Sequence, residues 1–319
     1  MKPHHILIYF LIISCSLNAQ NNKALIITSD IHNFWAAYAQ LKDCKTRADS
    51  IRVIQTEYLD KASTGLKLFI KARNFSAERY VDLLSKVPKF WSSIRSNTMN
   101  LEAYAEQINA IFDQYEAAYP NFKRPNVCFA IGQLSTGGTV KKGWLLIGSE
   151  IACADSTTDK SELGSWLRSV MQEKNHVLEL IAHETVHAQQ KMGLGTIWGY
   201  FNHRLLTFTL LEGAADFVAK NVAGMTINQP IHTYGKVHEE DLWQEFSKIM
   251  YKNDLSQWLY NGSKSKDRPA DLGYYIGYKI CESYYHQAAD KKKALRDIIE
   301  VSSYRNFYKK SKYPARKSY

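Results

Sequence analysis

The sequence predicts a predominantly helical α+β protein with a short stretch of strand near its middle. Three observations lead there. Apolar residues recur at three- and four-residue intervals from residue 22 to about 120, and again from Asp159 to the end, which is the period of a helix with one buried face. Between these regions two short apolar runs, residues 127–131 and 144–147, flank a glycine-rich connection, the pattern of paired strands. A balance of 45% hydrophobic and 23% charged residues is that of a globular chain rather than a disordered one, and 319 residues suffice for one large domain or two moderate ones.

The chain opens with Lys2, His4 and His5, an apolar run over residues 6–13, and small or polar residues up to Ala19. This is the layout of a signal peptide, and the run is too short to span a bilayer. Two exits are open. Cleavage after Ala19 would release a soluble exported protein, whereas residues 12–15 (Ile-Ile-Ser-Cys) resemble a lipobox that would make Cys15 a lipid anchor. The expected location is therefore periplasmic or extracellular, with membrane attachment through Cys15 as the alternative. We expect a signal segment over 1–19, a helical region over 20–124, and a hydrolase-type core over 125–319 continuous with it.

In the helical region the spacing of Phe34, Tyr38 and Leu41 and of Leu101, Tyr104, Ala105 and Ile108 marks two helices. Ser76 begins another, which Pro88 interrupts. The two apolar runs read as an antiparallel pair. The connection Ser135-Thr136-Gly137-Gly138-Thr139 reads as a plain turn, since it lacks the lysine and glycine spacing of a phosphate-binding loop. Asn175 is placed to cap a helix through Val177, Ile181 and Val186, with Gly193 beyond its end. A second helix is expected over about 203–222, stopped by Gly224.

Cys44, Cys128, Cys153 and Cys281 are dispersed with no CxxC pair, which argues against a zinc knuckle. Four cysteines permit three pairings in an oxidising compartment, and free buried thiols are the alternative. The net charge is +10, and the end is basic through Lys309, Lys310, Lys312, Arg316 and Lys317. No nucleic-acid motif accompanies it, so no nucleic-acid partner is expected and the tail reads as a solvated end.

The chemistry lies in His183-Glu184-Thr185-Val186-His187. On a helix, positions i and i+4 share a face, so both imidazoles can reach one ion. Zinc accepts such nitrogen ligands in four-coordinate geometry, and Glu184, one step round, can abut a water in the open position. HExxH arises by chance in about one chain of this length in a hundred, so a third ligand matters. Glu212 supplies it, 25 residues past His187, with room for a loop and a return helix. Asp216, four residues on, shares its face and can accept a hydrogen bond from a ligand histidine's second nitrogen. Gly213 would let the two ligand-bearing helices approach closely. This set implies zinc as cofactor and Glu184 as general base. Tyr275, Tyr278, His238 and Arg268 are candidates to donate a hydrogen bond to a developing oxyanion, Tyr275 and Tyr278 foremost.

HETVHAQQ, LLEGAADFVA and RPADLGYYIGYKI, with upstream GLKLFIKAR, SIRSNT and IGQLSTGGTV, resemble a bacterial group of predicted zinc-dependent proteases related to the gliding-motility lipoprotein GldB of Bacteroidetes. The resemblance implies a zincin-like metalloprotease fold of gluzincin type, with a small β-sheet beside the active-site helix. His183, His187 and Glu212 would then be the ligands and Glu184 the catalytic glutamate. It implies a peptide or protein substrate, bound by strand addition at an edge strand. The leading expectation is a secreted or envelope-associated zinc metallopeptidase. Its alternative is a non-catalytic or vestigial zinc-binding component of a gliding-motility or secretion apparatus.

Overall fold

A computed structural model describes residues 23–314 apart from 172, 173, 192, 263, 264 and 266. The expected signal segment, Cys15, Arg316 and Lys317 lie outside the described residues. Within them, no helix is long and apolar enough to cross a membrane.

Capping residues divide the first third of the chain into helices. α1 (Ser29–Gln40) buries Phe34 and Trp35. α2 (Arg47–Ile54) begins at a capping box in which Thr46 and Asp49 satisfy each other's backbone N–H, two donors that a helix start otherwise leaves open. Ser63 caps α3 (Thr64–Arg73) and Ser76 caps α4 (Ala77–Lys86), each accepting from the N–H three residues on. Pro88 ends that run by starting α5 (Pro88–Thr98), a position where its missing N–H has no partner to lose. α6 (Ala105–Ala118) follows.

Four strands form one mixed sheet: β1 (Ile26–Ile27), β2 (Asn126–Ala130), β3 (Gly138–Lys141) and β4 (Trp144–Gly148), ordered β1-β2-β4-β3. The expected antiparallel pair is corrected, because β2 and β4 run parallel, with Val127 opposite Leu145 and Phe129 opposite Ile147. The cause lies in the glycine-rich connection, which is not a plain turn. From Gly138 it becomes β3, and Lys142 and Gly143, both at positive φ, reverse it into β4. Two reversals bring the second apolar run back in the direction of the first. β1, which helical periodicity hides, adds parallel to β2.

α7 (Ser149–Ala152) and α8 (Ser165–Val170) lead to α9 (Val177–Gln189), which packs on β3, β4 and α6. Asn175 does not cap it. His176 precedes the helix without a side-chain cap, and Asn175 accepts instead from the Tyr104 hydroxyl at 3.2 Å. Gly193 opens a helix that the sequence reading lacked, α10 (Leu194–Asn202). α11 (Arg204–Ala223) stops at Gly224, whose φ of 72° is left-handed, as expected of a glycine helix stop. α12 (Gln229–Val237), α13 (Glu239–Ile249), α14 (Gly273–Gln287), α15 (Lys291–Ile299) and α16 (Tyr304–Ser311) complete the chain. α11 lies between α9 and α14. One buried apolar cluster runs from Ile31 to Tyr313, and Tyr115 of α6 donates to the Ala182 carbonyl of α9 at 2.8 Å.

Cys44, Cys128, Cys153 and Cys281 are all free, the last three buried, so none of the three disulfide pairings forms. Lys309, Lys310 and Lys312 are exposed.

Candidate metal centre

α9 and α11 face each other across the floor of a cleft of about 1100 Å³. His183 and His187 project from one face of α9 and Glu212 from α11. Their Nε2 atoms lie 3.1 Å apart, and Glu212 Oε2 is 3.1 Å from His187 Nε2 and 3.5 Å from His183 Nε2. These three residues offer ligand atoms within 4.8 Å of one another, a cluster that could hold a metal ion.

The outer nitrogens are also spoken for. His183 Nδ1 lies 2.8 Å from Asp216 Oδ1, and His187 Nδ1 lies 2.8 Å from Gln190 Oε1. Each is met by an acceptor, so each imidazole carries its proton on Nδ1 and turns a lone pair inward from Nε2. Two such lone pairs and a carboxylate oxygen in mutual contact repel unless a cation or proton lies among them. The electrostatics agree. Burial opposes charge on His183, yet Asp216 and Glu212 outweigh it and push its pKa up to about 10. Glu212 stays far below the usual carboxylate range despite burial, because His187 and His183 favour its charge. The donor set, two imidazoles and one carboxylate with hydrogen-bonded outer atoms, fits zinc.

Asp216 is itself anchored, accepting from Asn228 Nδ2 at 2.8 Å, with His232 Nε2 3.5 Å from the same oxygen. Gln190 reaches further, donating to the Leu211 carbonyl of α11 at 3.0 Å. Glu184 is buried, which raises its pKa, and it lines the cleft under β3. Gly138 of that strand lies so close that a Cβ there would come within 2.7 Å of Glu184 Oε1.

Tyr275, Tyr278, His238 and Arg268 are not brought to the cleft. Tyr275 is buried with its hydroxyl donating to Glu239 Oε2 at 2.7 Å. Tyr278 packs edge-on against His232 and Phe217, His238 stacks near Tyr234, and Arg268 pairs with Glu245 over the Trp258 ring. The tyrosines that do line it are Tyr274, whose ring lies nearly parallel to His183 at 6.1 Å, and Tyr260, which donates to Glu212 Oε1 at 2.6 Å. Burial, then the neighbouring Glu212 charge, keeps the Tyr260 phenol protonated. Its φ of 54° is left-handed, a conformation that costs a tyrosine of order 1–3 kcal/mol. A reciprocal pair of bonds between Asn261 and Asp271 holds the loop there.

Gly213 also differs from expectation. It faces α14 rather than α9: its added Cβ would fall 2.2 Å from the Gly277 carbonyl carbon, and one on Gly277 would fall 1.9 Å from the Thr209 carbonyl oxygen. The close approach therefore fixes α11 from behind.

Fold and cleft thus define a predominantly helical α+β protein with a small mixed sheet and a buried His-His-Glu cluster beside it. The chain belongs to the gliding motility protein GldB family, whose model matches residues 16–315. No curated protein and no solved structure matches it. Membership supports the envelope-component expectation rather than the peptidase one, and it agrees with an exported, membrane-associated chain.

Proposed function

We propose that this chain is an envelope-associated component of a gliding-motility apparatus, whose cleft holds one zinc ion on His183, His187 and Glu212. Family membership supports the first part. The observation that carries the second is the convergence of two inward-facing Nε2 atoms and one carboxylate oxygen at 3.1–3.5 Å. Zinc there would supply Lewis acidity and make a water easier to deprotonate.

Glu184 favours peptide-bond hydrolysis as the activity of this site, since a purely structural centre has no use for a buried carboxylate facing the cleft. Its carboxylate would take the attacking water's proton and return it to the leaving amine. The Tyr260 hydroxyl beside the cluster is protonated and, on turning away from Glu212 Oε1, would donate to a developing oxyanion. Among the described residues β3 pairs only with β4, and Gly138, Thr139, Val140 and Lys141 all line the cleft. An extended peptide laid along that edge would run past Glu184.

Metal analysis with peptide-library cleavage tests both parts. Purified protein is expected to carry about one zinc per chain, and His187→Ala is expected to lose it. Zinc at full occupancy in that variant would refute the ligand assignment. Glu184→Gln is expected to keep the metal and cleave nothing. If it supports gliding as well as the parent, the envelope role stands and catalysis falls.

A further inference from the structure

α10 is built inside out. Its solvent face carries Leu194, Ile197, Trp198 and Phe201, spaced i, i+3, i+4, i+7 and exposed by 86%, 45%, 54% and 68%. That spacing is the apolar stripe which a helix of a soluble protein turns inward. Here the inward face carries Gly195, Thr196 and Gly199 instead, with Gly195 against the Ser302 carbonyl and Gly199 against Thr207. The close packing of those glycines seats α10 with four large apolar side chains turned to water.

The surroundings are cationic. From Thr185 to Leu211 the chain has no acidic residue. Lys191 precedes α10, and Arg204 follows it with its guanidinium over the Tyr200 and Phe208 rings. The loop that meets its C-terminal end through Asn253 brings Lys252, although Asp254 follows there, and Glu300 lies 3.8 Å from Lys191. Behind Trp198 lies a hollow of about 160 Å³, lined also by His203, Tyr304 and Arg305. His203 Nε2 in it is buried without a hydrogen-bond partner. Aromatic and aliphatic side chains on a short helix, ringed by cations with a cationic hollow beside a tryptophan, match the acyl boundary and phosphates of an anionic bilayer. At nine residues the helix can lie in that boundary but not cross it.

We propose that α10 is a membrane-docking helix that seats this chain on anionic phospholipid, independently of any lipid on Cys15. Because α10 follows α9 after a short connection, docking would hold the cleft near the bilayer surface.

Trp198 is the reporter, being the only tryptophan among the exposed large apolar residues described. The full chain is mixed with vesicles of phosphatidylcholine and phosphatidylglycerol in a two-to-one ratio, with bromine on the upper acyl chains. Emission is expected to be quenched, less so at high salt and less so on phosphatidylcholine alone. Trp198→Phe, which keeps the bulk, is expected to remove most of the quenching. Phe201→Ser is expected to weaken α10 seating about tenfold, with an unchanged near-ultraviolet circular dichroism spectrum. Arg305→Gln is expected to reduce the preference for phosphatidylglycerol. Equal quenching in the parent and Trp198→Phe on every vesicle overturns the proposal. So does self-association in solution that Ile197→Ser abolishes while quenching is absent, since the stripe would then join two copies of the chain.

Discussion

Glu150 sits in the core, accepting from the backbone N–H groups of Gly132 at 2.8 Å and Leu134 at 3.0 Å. Burial pushes its pKa from 4.5 up to about 7, although those two donors pull the other way. Between these values the folded chain keeps a proton that the unfolded chain has released. The resulting stabilisation is complete below pH 4.5 and is lost as the pH rises to about 7, at up to about 1.4 kcal/mol per pH unit. Urea unfolding of the parent and Glu150→Gln at both ends of that window is expected to show the parent losing ground to the variant as pH rises. A constant difference would contradict it. At the same scale, a bond from one ligand histidine to Asp216 was legible from the sequence, because both lie on helices and i, i+4 spacing fixes their faces, whereas the choice of His183 over His187 comes from the packing. Gln190 and Tyr260 were not. Gln190 lies past the end of α9, and Tyr260 lies in a loop whose left-handed backbone no local pattern announces.

Among the elements, the α11–α14 contact depends on two glycines placed backbone to backbone. Alanine at 277 would gain about 1 kcal/mol in helix propensity, but its Cβ would overlap the Thr209 carbonyl oxygen at 1.9 Å. Backbone cannot swing aside as a side chain can, so overlap decides the sign. Gly277→Ala is expected to lower the urea midpoint, with a net loss of roughly 1–3 kcal/mol; an unchanged midpoint would show that α14 moves freely. The sequence sets glycines beside tyrosines here, yet it could not say which tyrosine faces the cleft. Tyr274 and Tyr278, four apart, share a side of α14 but sit a turn apart along it, and Tyr275 lies a step round, so periodicity alone does not pick out Tyr274 as the one at the cleft. The sheet was read in the same partial way. Two apolar runs were visible, while β3, of Gly-Thr-Val-Lys and only half-buried, lay hidden in what composition presents as a turn.

Across the whole molecule, the helices before residue 120 and those carrying the cluster share one buried core. Stability on this plan comes from apolar burial throughout, not from the metal, in contrast to small zinc domains that unfold without theirs. Chelation is therefore expected to lower the melting temperature, as loss of any ligand of the native state does, while helix content and hydrodynamic radius stay unchanged. Loss of helical signal on chelation would contradict this. At the socket itself an amide adds to that burial. Gln190 ties His187 of α9 to the Leu211 carbonyl of α11, stitching the socket together before any guest arrives. One divalent ion should thus replace another without refolding, and occupancy in the cell would follow which ions are supplied and how tightly nitrogen and oxygen donors hold each.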